Sequence, residues 1–66
     1  MKKLTAIEMQ VLELLAQGYE NIEIAQEMYI SYYTVKRHLQ KIYKKLNVSC
    51  DRKAIAYYYE EIKHAS

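Results

Sequence analysis

The chain has no proline and a single glycine, Gly18, among its 66 residues. With no proline to break helices, no low-complexity stretch and no internal repeat, an all-helical fold without a flexible linker is expected. It holds one cysteine, Cys50, so no disulfide can close within the chain, and a reducing compartment is the default. Cys50 is most simply a small residue near the start of the last helix. The two histidines, His38 and His64, lie far from any set of side chains with metal-ligand spacing, so neither a metal nor a cofactor is expected. No run approaches the roughly 18 apolar residues of a membrane span, and MKKLTAIE lacks the apolar region of a signal peptide. These absences point to a soluble cytoplasmic protein that makes no membrane contact. An enzyme is also disfavoured. The sequence offers no paired carboxylates, no nucleophile with a base at useful spacing and no Gly-rich phosphate loop.

Residues 1–66 suffice for one domain, and a chain of this size buries only about 60% of its unfolded surface, so its stability is marginal. The formal net charge of +2 hides an asymmetry. From Met1 to Glu27, two lysines stand against five glutamates. From Met28 to Cys50, the five bases Lys36, Arg37, Lys41, Lys44 and Lys45 meet no acid, and from Asp51 onward three bases balance three acids. The whole basic excess therefore sits on or beside one segment, the footprint of a phosphate-binding surface. A solvated helix face also explains a charge run. Against it stands the lack of any Asp or Glu to pair these bases at i±4.

That segment, Ser31 to Leu46, reads as an amphipathic helix. Val35, Leu39, Ile42 and Leu46 form a narrow apolar stripe at about 100° per residue. Tyr33, Arg37, Gln40, Lys41 and Lys44 gather opposite, with Lys36 on the flank, and Ser31 is placed to cap the N-terminus. Ahead of it, Thr5-Ala6-Ile7-Glu8 is a capping box for a first helix over 6–17, with Leu4 and Met9 as its hydrophobic staple and Gly18 as its left-handed end. Its core side is expected to carry Ile7, Val11, Leu14 and Leu15. A second helix over 21–29, capped by Glu20 or Asn21, buries Ile24, Ala25 and Met28, and Ile30 tucks into the core behind it. After Asn47, a C-terminal left-handed residue, and Val48, a core-closing one, Asp51 caps a fourth helix over 52–63. Its Ile55, Tyr58, Tyr59 and Ile62 follow i, i+3, i+4 and i+7, more apolar surface than so small a core can cover. That surplus is either ordinary surface tyrosine or a partner face. The expected architecture is all-α, a four-helix bundle containing a helix-turn-helix (6–17, 21–29, 32–46, 52–63).

Taken together, LTAIEMQVLELLAQG, NIEIAQEMYIS and TVKRHLQKIYKKLNV resemble the LuxR-type (GerE-like) helix-turn-helix, the effector domain of many bacterial transcription regulators. The resemblance runs from about Leu4 to Tyr59 without insertion. Its landmarks fall in register: Leu4-Thr5, Glu8, Val11-Leu12, Gly18, Glu23-Ile24-Ala25, Ile30-Ser31, Thr34-Val35-Lys36, His38, and Lys45-Leu46 with Val48. With Met1 at its start, the chain looks like the standalone form of this module. The resemblance implies that the third helix enters the major groove of double-stranded DNA, with base contacts from Lys36, Arg37 and Gln40. It places Tyr32, Tyr33, Thr34, Lys41 and Lys44 at backbone contacts. It also implies a homodimer through Ile55, Tyr58, Tyr59 and Ile62 of the fourth helix, and a protein that is nucleoid-associated when bound. For His38 the packed or capping reading is preferred over a DNA contact.

The chain departs from the family pattern in one direction. Ile7 and Met9 stand where the family usually has arginines, Ile22 where it has lysine, and Tyr32 and Tyr33 where it has a charged pair. Asp51 replaces a common arginine, although Arg52 follows. Phosphate binding is thus expected to be weaker or concentrated on the third helix. Ile7, Met9 and Ile22 can instead mark a protein-binding patch, although burial explains Ile7 as well. Two functions stand: a sequence-specific DNA-binding transcription regulator, or an adaptor that binds another regulator or RNA polymerase through its Ile/Tyr-rich surface.

Overall fold

The computed structural model describes residues 3–63; His64 lies outside them. The chain forms α1 (Ala6–Ala16), α2 (Asn21–Met28), α3 (Tyr32–Leu46) and α4 (Asp51–Tyr57), the last running on into a π-helical segment, Tyr58–Lys63. There is no strand among the described residues, and no helix there is long and apolar enough to cross a membrane.

Each helix starts where a side chain or backbone satisfies its orphan amides. At α1 the predicted capping box is complete: the Glu8 amide donates to Thr5 Oγ1 at 3.2 Å, and the Thr5 amide donates to Glu8 Oε1 at 2.8 Å. Glu20, not Asn21, caps α2, and its own amide donates to Glu23 Oε1 at 2.8 Å. Ser31 caps α3 as expected, its hydroxyl accepting from the Thr34 amide at 3.0 Å.

The first three helices share one ending. Gly18, Tyr29 and Asn47 all have positive φ, at 98°, 56° and 57°. The next amide reaches back over each turn: Tyr19 to the Leu14 carbonyl at 3.1 Å, Ile30 to Ala25 at 3.0 Å, Val48 to Tyr43 at 2.9 Å. These are three Schellman motifs, and the residue after each left-handed position (Tyr19, Ile30, Val48) packs on the core, as the motif favours. Gly18 and Asn47 are the residues expected there. Tyr29 is not, because its Cβ crowds the backbone in that conformation. It turns the chain sharply between α2 and α3, leaving Ile30 and Ser31 as the remaining residues of the turn.

The core is built by all four helices: Val11, Leu12 and Leu15; Ile24 and Ala25; Val35, Leu39 and Ile42; and Ala54. The expected core side of α1 is corrected. Val11 and Leu15 are buried and Leu14 is half-buried, but Ile7 is 40% exposed, and Leu12, outside the expected set, is fully buried. Helix α1 packs against α2, α3 and α4, so its buried face is centred on Glu8, Val11, Leu12 and Leu15 (i, i+3, i+4, i+7), and Ile7 lies off it. The helix also ends one residue early, with Gln17 as its cap.

The fourth helix is corrected at both ends. It starts at Asp51 with Cys50 as the capping residue, and the Asp51 carboxylate accepts from the Arg52 amide at 2.7 Å inside the first turn. From Tyr58 the winding loosens to i→i+5 bonding, so the i, i+3, i+4, i+7 stripe expected over 52–63 does not run straight. Ile55, Tyr58 and Ile62 are half-buried against the core of their own chain, and Tyr59 remains 43% exposed. Tyr59 has a job of its own: its hydroxyl donates to the Ala16 carbonyl at 2.8 Å, satisfying an acceptor at the end of α1.

Candidate nucleic-acid interface

The face of α3 opposite Val35, Leu39 and Ile42 is open. Lys36, Arg37, Gln40, Lys41 and Lys44 are all exposed, and so are Tyr32 and Tyr33 at its N-terminal end. The buried stripe fixes the rotation of the helix, and α2 and α1 pack against that stripe, so the polar face is free to meet a ligand. The structure therefore brings the predicted base-contact and backbone-contact residues onto one surface, with one qualification. Thr34 is half-buried, and its hydroxyl lies 2.9 Å from Ser31 Oγ as part of the helix cap.

The basic excess of the segment is smaller on the surface than in the sequence. Lys45 Nζ lies 2.6 Å from Glu8 Oε1, and Glu8 is 3% exposed. Burial alone pushes the Glu8 carboxyl up. The Lys45 hydrogen bond, the Thr5 amide, the Lys45 charge and the Thr5 hydroxyl together outweigh it and hold the group below the usual range. The acid missing from α3 at i±4 thus comes from α1, 37 residues away in sequence. The signal was present: Glu8 sits on the core stripe of α1, where a carboxylate needs a partner.

On the flank of the face, Lys36 Nζ lies 5.5 Å from the centroid of the Tyr32 ring. Tyr32 in turn meets Tyr33 edge-on, centroids 5.9 Å apart at 74°. A shallow cavity of about 180 Å³ adjoins, lined by Asn21, Lys36, Leu39, Gln40 and Tyr43. Burial, with Asp51 and Cys50 nearby, pushes the Tyr43 phenol up at the edge of the core. A second open cavity, of about 340 Å³, lies between the end of α1 and the starts of α2 and α4, where Glu20 and Asp51 are its acids. Among the described residues no group of three or more His, Cys, Asp and Glu side chains is placed to hold a metal. His38 is half-buried.

The other predicted patch is split. Ile22 is 51% exposed and Ile7 40% exposed, while Met9 is half-buried. Of the residues expected at a dimer face, Tyr59 is the most exposed.

Comparison with known proteins agrees with this geometry. The family model for bacterial regulatory proteins of the luxR family (GerE) matches residues 2–58. The HTH-type transcriptional regulator MalT of Vibrio campbellii is 42% identical over 52 residues, covering 79% of this chain and 6% of that protein. The response regulator protein VraR of Staphylococcus aureus is 42% identical over 57 residues, covering 86% of this chain and 27% of that one. The crystal structure of the response regulator ChrA, of a heme-sensing two-component system, superposes with a TM-score of 0.86 at 38% identity, covering 92% of this chain and 30% of that chain. The chain thus spans less than a third of the length of each of these relatives. With its four helices in this order and the match over nearly its full length, the chain belongs to the LuxR family of bacterial regulatory proteins, as a helix-turn-helix module.

Proposed function

We propose that this chain is a sequence-specific DNA-binding module of a transcription regulator, reading the major groove with α3. One observation carries the reading: an exposed, acid-free face of Lys36, Arg37, Gln40, Lys41 and Lys44, backed by a buried stripe that sets its orientation. Arg37 takes guanine O6 and N7 as a bidentate pair, Gln40 takes adenine N6 and N7, and Lys36 serves a third base. Tyr32, Tyr33, Thr34, Lys41 and Lys44 approach the phosphates, which add affinity without sequence information. Two copies joined through Tyr59 and the outer edges of Ile55, Tyr58 and Ile62 would place two α3 helices in successive major grooves, roughly 34 Å apart. The test is in-vitro selection of bound duplexes from a random pool, followed by titration across salt. Enriched pseudo-palindromic sites are expected, bound more weakly as salt rises from about 50 to 200 mM. Salt-insensitive binding would overturn the reading, and a strict monomer in sedimentation at micromolar concentration would overturn the homodimer.

The exposure of Ile22 supports a second reading, in which the module docks on another regulator or RNA polymerase. The two separate in a pull-down. Loss of partner with Ile22→Lys but not with Arg37→Ala would favour docking; the reverse would favour DNA.

A further inference from the structure

Lys36 would ordinarily be the least discriminating of the three base-reading side chains. A lysine ammonium on a four-carbon stem is a mobile point charge and is satisfied by any nearby phosphate. Here it has a partner on its own helix. It rests over the ring of Tyr32, one helical turn earlier, at 5.5 Å from the centroid. The Tyr32 ring meets that of Tyr33 in a T-shaped contact, centroids 5.9 Å apart, and Tyr32 is only 39% exposed, against 75% for Tyr33. The three side chains thus form a relay along the first turns of α3. The helical wheel places Tyr32 on the core edge of the basic face and Lys36 just inside it, so the ring stands between the ammonium and the core side of the helix.

We infer that Tyr32 is a positioning residue that fixes Lys36 for base readout, so that Lys36 specifies sequence. The inference rests on the proposed DNA reading of α3. An ammonium lying on a ring face keeps N–H donors for guanine O6 or N7, and the contact biases the stem toward the ring and away from the phosphates. The ring makes this contact without its hydroxyl. Phenylalanine at the same position therefore keeps the platform and loses any phosphate contact of the hydroxyl, whereas alanine removes both.

The experiment measures binding of the wild-type chain, Tyr32→Phe, Tyr32→Ala, Lys36→Ala and the Tyr32→Ala/Lys36→Ala double variant to a selected duplex and all its single base-pair changes. The readout is the affinity ratio between sequences, which a uniform loss of phosphate contact or of folded protein does not move. Tyr32→Ala is expected to lose about two- to fivefold discrimination, the size of one exposed cation–π contact, at the same base pair that Lys36→Ala relaxes. Tyr32→Phe keeps that ratio, and the double variant discriminates no worse than Lys36→Ala. An unchanged ratio in Tyr32→Ala, a relaxed base pair different from that of Lys36, or a Tyr32→Phe that behaves like alanine would overturn the inference. A second measurement needs no DNA: the Lys36 ε-methylene protons should show an upfield ring-current shift that Tyr32→Phe retains and Tyr32→Ala abolishes, and its absence in the wild type overturns the inference by itself. If the wild type enriches no sequence at all, the DNA reading fails and the inference falls with it. Intact enrichment with identical wild-type and Tyr32→Ala profiles sinks the inference alone.

Discussion

Lys45 Nζ on the last turn of α3 sits 2.6 Å from Oε1 of Glu8 on the first turn of α1, a carboxylate that also accepts the Thr5 amide. One oxygen therefore caps α1 and ties its first turn to the last turn of α3, the helix that carries the basic face. The partners are unequally exposed, with 22% of the Lys45 side chain and 4% of the Glu8 side chain accessible.

That inequality predicts an asymmetric response. Lys45→Met leaves a buried carboxylate with only its cap partners, and should cost about 2–3 kcal/mol at neutral pH. Glu8→Gln keeps an oxygen for the Thr5 amide and leaves a lysine that can rehydrate, so it should cost about 1–2 kcal/mol. The double variant should be more stable than the sum of the two losses implies, as urea titrations of the four proteins can measure.

The same carboxyl sets an acid limit. Its folded-state value lies below the ordinary one, so the folded chain binds fewer protons than the unfolded chain between the two values. Its contribution is present in full above the unfolded-state value and is lost as pH falls through that window. Wild-type stability should therefore fall from about pH 5 downward with a steeper slope than that of Glu8→Gln.

Tyr29 and Gly18 make a matched pair of opposite sign. Tyr29 is 95% exposed and left-handed, so Tyr29→Gly gives up almost no burial and relieves backbone crowding. A gain of about 0.5–1 kcal/mol is expected, a rise of a few degrees in Tm. Gly18→Ala meets no atom within 4 Å of the new Cβ, so its loss of about 1–2 kcal/mol is a backbone cost alone. Thermal melts by circular dichroism decide both.

Tyr59→Phe deletes the hydroxyl that reaches the Ala16 carbonyl and keeps the ring. A loss of about 0.5–1 kcal/mol is expected, with faster amide exchange where α1 ends, since one of its terminal carbonyls returns to water.

On DNA, Arg37→Ala and Gln40→Ala should each relax specificity by about 1–3 kcal/mol at one base pair. Lys44→Ala should weaken all sequences alike and reduce the salt slope by about one unit. Lys45→Met, assayed well below its melting temperature, should leave that slope unchanged, because the ammonium is already neutralised by Glu8.

What the sequence determined by itself was local. The Thr5–Glu8 capping box, the Ser31 cap, the left-handed ends at Gly18 and Asn47, and the period-3.6 stripe of α3 each depend on residues within a few positions of one another. Capping chemistry and helical periodicity act over that range, so the starts of α1 and α3, the turns that follow α1 and α3, and the basic face could be read from the chain, whereas the end of α2 could not. Tertiary structure decided what depends on neighbours distant in sequence. It put Leu12 in the core and Ile7 outside it, because three helices pack around α1. It withdrew Lys45 from the basic face by bringing Glu8 beside it, tied Tyr59 to the end of α1, and turned Ile55, Tyr58 and Ile62 inward along a fourth helix that loosens into π winding. A left-handed Tyr29 is likewise invisible locally, since intrinsic preference argues against it. There the packing of Ile30 and the Ile30-to-Ala25 hydrogen bond outweigh the crowding at Tyr29, and the turn between α2 and α3 closes on a residue that the sequence alone would not have chosen.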